Sequence, residues 1–209
     1  MKKNLLILFV CVPAFFFSAS VYSAEGLYVS GNIGFAMASD SNLTDSTVPG
    51  TTVNIEFDTG LALGAALGYE FNRFRVEGEI SYQTNDVDKI GAQGVFFDAT
   101  GDATALSFLI NGYYDFVNRS AFTPYISAGL GFAQVEFNDL NISGSGFPGS
   151  SDDDTVFAYQ IGIGVGYAVT EKVTIDVKYR NFGTENSEYD TTEAEFASNN
   201  FLFGVRVYF

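Results

Sequence analysis

Strict two-residue alternation is the feature that most constrains this chain. Ile55, Phe57, Leu61, Leu63, Ala65, Leu67, Tyr69 and Phe71 fall on one row, and Glu56, Asp58, Gly60, Ala62, Gly64, Ala66, Gly68 and Glu70 on the other. Only Thr59 interrupts the apolar row. Successive side chains of a strand point to opposite faces, so this pattern calls for a strand with two unlike faces. The chain ends in the same way. Phe201, Phe203, Val205, Val207 and Phe209 share one face, and Asn200, Gly204, Arg206 and Tyr208 the other.

The alternation predicts eight strands, at about 26–38, 54–71, 74–84, 103–116, 122–137, 156–169, 173–182 and 199–209. Their connections alternate in length. Segments 72–73, 117–121 and 170–172 are tight turns, whereas 39–53, 85–102, 138–155 and 183–198 are long, polar and rich in Gly, Ser, Asp and Asn. An even strand count with short turns at one end and long loops at the other is the pattern of a membrane-spanning barrel. The expected fold is therefore all-β, an eight-stranded antiparallel up-and-down transmembrane β-barrel with both termini on the short-turn, periplasmic side.

A soluble lipid-binding barrel would show the same alternation, so the composition of the rows has to decide which face points outward. The less apolar rows contain Gly129, Gly131 and Ala133, and Gly162, Gly164 and Gly166, besides the Gly and Ala of 60–68. Glycine weakens a strand and offers water no useful side chain, but small residues fit the crowded inside of an eight-stranded barrel. The opposite rows hold large Leu, Ile, Phe and Tyr, as a lipid-facing surface should. Aromatic residues gather near the strand ends. Tyr69, Phe71, Phe74, Tyr114, Phe116, Phe122, Tyr167 and Phe209 are expected in a periplasmic girdle, and Phe57, Tyr82, Phe157, Tyr179 and Phe201 nearer the outer interface.

The start of the chain agrees with export. Lys2 and Lys3 precede an apolar stretch from Leu5 to Phe17, followed by the small residues of Ser18–Ala24. This is the layout of a signal peptide, too short to serve as a membrane anchor. Residues 1–24 are thus expected to be cleaved, leaving 25–209 as one barrel domain. Cys11 leaves with the signal, so no disulfide or thiol chemistry is expected afterwards.

Without Lys2 and Lys3 the chain has 8 basic and 25 acidic residues, a net charge of −17. Sixteen of the acids lie in or beside the four long segments, where Lys89 is the one base. Such a sign disfavours nucleic acid, and it permits divalent cations or basic partner surfaces. Solvated loops would have the same composition. Asp152-Asp153-Asp154 lacks the spaced oxygen ligands of a calcium loop, so no dedicated metal site is expected. No pattern calls for a cofactor.

Inside the barrel the polar rows predict a charge network of Glu56, Asp58, Glu70, Arg75, Glu77, Glu79, Asp115, Asp176, Lys178, Arg180 and Arg206. Groups crossing a narrow lumen should pair, because an unpaired buried charge is costly. Such a network could be a static plug or a gate that opens when pairs exchange. Tyr28, Tyr113, Tyr125 and Tyr208 are expected beside it. The chain has no histidine, which excludes Ser-His and Asp-His hydrolytic machinery, and the carboxylates form no defensible catalytic set, so no enzyme activity is expected.

The runs Thr123-Pro124-Tyr125-Ile126-Ser127-Ala128-Gly129-Leu130-Gly131-Phe132-Ala133, Tyr159-Gln160-Ile161-Gly162-Ile163-Gly164-Val165-Gly166-Tyr167 and Val177-Lys178-Tyr179-Arg180-Asn181-Phe182 resemble the opacity-type outer-membrane β-barrel family. So do Gly26–Gly34 and the terminal Phe209. The resemblance spans the mature chain and implies a barrel related to the transmembrane domain of outer-membrane protein A. The peptidoglycan-binding domain of some relatives is not expected. It further implies surface loops that in some pathogens bind host cells, and a terminal strand, with Tyr208 and Phe209, read by the barrel-insertion machinery. Expected partners are outer-membrane lipid and lipopolysaccharide, that machinery, and a host or surface ligand of the loops. Two functions stay open, a structural and surface-interaction barrel or a narrow porin-like channel.

Overall fold

Each alternating row becomes one side of a closed wall. The computed structural model describes residues 26–39, 41–45, 52–92, 95–142, 150–185, 187–189, 192–194 and 196–209; the expected signal segment lies outside them. The strands are β1 (Gly26–Ala38), β2 (Ser41–Asp45), β3 (Thr52–Phe57), β4 (Gly60–Phe71), β5 (Phe74–Ala92), β6 (Val95–Asp115), β7 (Phe122–Ile142), β8 (Ser150–Ala168), β9 (Val173–Thr184), β10 (Ser187–Tyr189), β11 (Thr192–Ala194) and β12 (Ala197–Tyr208).

Eight of them, β1, β4, β5, β6, β7, β8, β9 and β12, pair antiparallel with their neighbours, and β1 closes the ring on β12 from Tyr28↔Tyr208 to Ala38↔Ser198. Closure leaves no strand edge within the bilayer, where an unpaired backbone group would cost several kcal/mol. On β4, Leu61, Leu63, Leu67, Tyr69 and Phe71 are exposed while Ala62, Ala66 and Glu70 are buried. Large apolar side chains thus face lipid, and small or charged ones face the lumen.

Lumen-side glycines are required by close approach rather than by turns. A Cβ on Gly68 would lie 2.3 Å from the Tyr28 ring, and one on Gly164 would lie 2.5 Å from the Tyr125 ring. The small row makes room for tyrosines that cross the interior.

Three expectations need correction. The strand expected over 54–71 is broken: β3 ends at Phe57, Asp58 and Thr59 leave the ladder, and β4 starts at Gly60. Beyond the break β3 continues along the same neighbour as β4, pairing with the upper part of β5 from Phe57↔Val87 to Val53↔Ala92, while on its other side β2 takes the place of β1. Asn85 pins this corner, donating from Nδ2 to the carbonyls of Ala36 at 2.8 Å and Asp58 at 2.9 Å.

Secondly, much of the segments 85–102 and 138–155 is strand. β6 and β7 have 21 residues each, about twice the roughly 9–11 that a tilted strand needs to cross a bilayer. Their outer parts stand beyond the membrane as hairpins. Short strands join them there, β11 pairing with β2, β2 with β3 and β3 with β5.

Lastly, Phe57 packs against the interior apolar cluster rather than joining the outer girdle. The aromatic girdle at the short-turn end is continuous in places, with ring centroids 5.8 Å apart for Phe71–Phe74, 5.3 Å for Phe74–Tyr114 and 5.1 Å for Tyr114–Phe116. At the outer interface Tyr179 and Phe201 meet at 5.1 Å.

Candidate functional site

The lumen gathers the charged residues into layers, each built from inward positions of adjacent strands. Nearest the short turns, Arg206 on β12 grips Asp176 on β9 with two bonds, Nε to Oδ2 at 2.8 Å and Nη2 to Oδ1 at 3.2 Å. Its Nη1 donates to the Tyr208 hydroxyl at 2.9 Å, and that hydroxyl donates to Glu70 on β4.

Beside it, Arg75 on β5 donates through Nε and Nη2 to both oxygens of Asp115 on β6, at 2.8 and 2.9 Å. Such two-pronged pairing suits guanidinium and is stronger than a neutral hydrogen bond. The Arg75 guanidinium also lies over two rings, 4.2 Å from the centroid of Tyr113 and 4.7 Å from that of Tyr125. Glu77 accepts from the Tyr28 hydroxyl at 2.7 Å and lies 3.8 Å from Arg75.

Farther out, Glu79 on β5 is held from three strands. Arg180 Nη1 on β9 donates to it at 2.8 Å, Asn111 Nδ2 on β6 at 2.6 Å and Gln160 Nε2 on β8 at 3.3 Å. The Asn200 amide, oriented with its oxygen toward Arg180, accepts from Nη2 at 3.0 Å and Nε at 3.1 Å. Between these layers lies a cavity of about 30 Å³, room for about one water, lined among others by Asn32, Glu77, Asp176 and Lys178.

The expected network therefore assembles largely as rows of one parity. Glu70, Arg75, Glu77, Glu79, Asp115, Asp176, Lys178, Arg180 and Arg206 are all buried. Asp58 is not among them: it is exposed at the irregular break between β3 and β4, where the inward-outward alternation of the strand is interrupted. Glu56 lies on β3, opposite Lys89 of β5, and its side chain is outside the described set. The buried network thus has five acids and four bases.

Sequence reasoning missed the layer above. Leu109, Val135, Val156, Phe182 and Phe196, with Ala103, Ala105, Ala133 and Ala158, form a buried apolar cluster. Phe182 and Phe196 meet at 6.4 Å, and the Arg180 guanidinium lies 5.9 Å from the Phe182 centroid. Phe196 is tied down by its backbone, accepting from Thr184 N at 2.9 Å and donating to Thr184 Oγ1 at 3.2 Å. Parity was the available signal: Phe182 is two residues beyond Arg180, and Leu109 two before Asn111, on the same inward rows. Among the described residues no group of acids is arranged to hold a metal ion.

The chain is 31% identical to the outer membrane protein PagN of Salmonella typhimurium, over 90% of this chain and 92% of that protein. It is 26% identical to RC1281 of Rickettsia conorii, named as a candidate adhesin, over 73% of this chain and 69% of that protein. Among solved structures, Neisserial surface protein A superposes with a TM-score of 0.56 at 22% identity, covering 88% of this chain and 98% of that one. OprG of Pseudomonas aeruginosa gives 0.55 at 19%, covering 89% and 97%. At those identities the two structures speak for the fold alone. The model of the outer membrane protein beta-barrel domain matches residues 7–209, and the chain belongs to that family as an integral protein of the outer membrane.

Proposed function

We propose that this protein is a sealed barrel whose work is done at the cell surface, where the outer parts of its hairpins meet a partner, while the lumen holds the wall rigid. The observation that carries the reading is the double filling of the interior: a paired charge network on the periplasmic side, and an apolar cluster around Phe182 and Phe196 above it. An ion would have to part both. The absence of histidine fits a non-enzymatic role, and the likeness to RC1281 supports an adhesive one.

In this reading residues 1–24 are removed on export, the tight turns and both termini face the periplasm, and the acidic hairpins face outward beside lipopolysaccharide. Tyr208 and Phe209 serve as the strand-end signal for the insertion machinery. The lumen network acts as a static plug. Liposome swelling tests it: proteoliposomes should swell with small sugars or amino acids no faster than empty ones. Swelling at porin-like rates would replace this reading with the narrow-channel alternative, in which the charge pairs exchange.

A further inference from the structure

The bases of this acidic protein are unevenly placed. Four of the eight that follow the signal segment are buried in the lumen, and Lys89, on an outer hairpin, is paired with Asp88 at 2.8 Å. The remaining three, Arg73, Arg119 and Lys172, occupy the three tight turns, one base to each, and all three are exposed. The turns join β4 to β5, β6 to β7 and β8 to β9, so the bases are spread around three quarters of the rim. The start of β1 and the end of β12 fill the fourth.

Local bonds fix each turn and hold its base outward. Asn72 adopts a left-handed φ of 56° in the two-residue turn before β5, and the Arg73 carbonyl accepts from Asp115 N at 2.8 Å. Asn118 donates to the Phe122 carbonyl at 2.8 Å and accepts from Ser120 N at 2.7 Å, closing the turn around Arg119. Thr170 Oγ1 accepts from Lys172 N at 3.2 Å and Val173 N at 3.0 Å, and the Lys172 carbonyl accepts from Tyr208 N at 2.9 Å. Immediately above lies the Phe71, Phe74, Tyr114 and Phe116 girdle, the height at which aromatic rings meet lipid headgroups. The exposed acid described on this rim is Glu171, against the strong acidity of the opposite end.

We propose that Arg73, Arg119 and Lys172 form a headgroup-binding ring that recruits anionic phospholipid of the phosphatidylglycerol type to the barrel in the periplasmic leaflet. The surface continues the lipid-facing wall, so its occupant is lipid. Its charge selects the anionic kind, since each base near a membrane surface gains from anionic headgroups. The leaflet rests on the orientation proposed above.

The test measures the association of spin-labelled phosphatidylglycerol relative to spin-labelled phosphatidylcholine with the folded barrel in vesicles. The native protein should prefer phosphatidylglycerol at low salt and lose the preference at high salt. Neutralising the ring in Arg73→Gln/Arg119→Gln/Lys172→Gln should abolish it, each single change losing up to about fivefold, while Lys89→Gln leaves it intact. An unchanged preference in the triple variant overturns the proposal, and so does its loss in Lys89→Gln, which would place the anionic lipid, or a lipopolysaccharide phosphate, at the other end. These lipids occupy both leaflets of the vesicle, so the result does not depend on orientation. A reversed orientation on cells would overturn the leaflet and leave the lipid preference standing. Heat-modifiable migration verifies folding, and the single variants carry the test if the triple does not fold.

Discussion

Tyr208 on β12 reaches past the intervening strand β1 to donate its hydroxyl to Glu70 on β4. Its ring lies 5.2 Å from that of Tyr28, its register partner on β1. The seam that closes the barrel is therefore held twice, by the β1–β12 backbone ladder and by a side-chain bridge across it. The penultimate residue of the chain is part of that bridge.

Replacing Tyr208 with Phe should lower stability by about 1–3 kcal/mol, since it removes a hydrogen bond to a buried charged group. Deleting Phe209 should act elsewhere, reducing the amount of barrel assembled in the outer membrane while leaving the unfolding midpoint of the assembled fraction nearly unchanged. Unfolding followed by heat-modifiable migration, together with yields from membranes, separates the two. Equal effects of both variants on both readouts would contradict this division.

Arg180→Ala removes the ion pair of the buried Glu79 carboxylate and leaves it two amide donors, with Lys178 as the remaining nearby base. That should cost about 3–5 kcal/mol, the penalty for stranding a buried charge. Removing the pair together in Glu79→Leu/Arg180→Met should recover much of the loss, because two apolar groups leave nothing stranded. Chemical denaturation of the three proteins in one detergent decides the matter, and a double variant as weak as Arg180→Ala would count against the burial argument.

Glycine positions in the wall offer a sharp internal control. A Cβ on Gly131 would fall 1.9 Å from the Phe108 carbonyl oxygen, whereas one on Gly78 would meet nothing within 4 Å. Gly131→Ala should therefore destabilise by about 1–3 kcal/mol through a forced backbone shift, and Gly78→Ala should stay within about 0.5 kcal/mol of the native protein. Similar midpoints for the two would show that strand spacing at Gly131 is looser than described.

Orientation follows from single cysteines, residues 25–209 having none of their own. Asp88→Cys, exposed on the outer part of β5, should react on intact cells with a membrane-impermeant thiol reagent, and Arg119→Cys should react only after the envelope is broken. The opposite pattern would invert the barrel.

How far the sequence is readable depends on which solvent each residue meets. Within the bilayer the two faces see lipid and a crowded lumen, so rows such as Leu61, Leu63, Leu67 and Ala62, Ala66, Glu70 alternate cleanly, and the strands can be read off directly. Beyond the membrane both faces of a hairpin see water, alternation loses its cause, and the outer parts of β5 to β8 carry the Gly, Ser and Asp of loops although their backbones are paired. The break at Asp58–Thr59 was hidden for a related reason. The parity of the row continues through it, and the buried amide of Asn85, distant in sequence, fixes the corner. In the lumen, charge marks Arg75, Asp115, Arg180 and Arg206, whereas Phe182 and Leu109 share those inward rows and carry no polar group to mark them.

Planar-bilayer recording of the purified native protein shows whether the resting barrel is shut. A shut barrel passes no steady current at moderate voltage, with at most small and intermittent openings that become more frequent in Arg180→Ala and Phe182→Ala. A large, steady conductance in the native protein would contradict it.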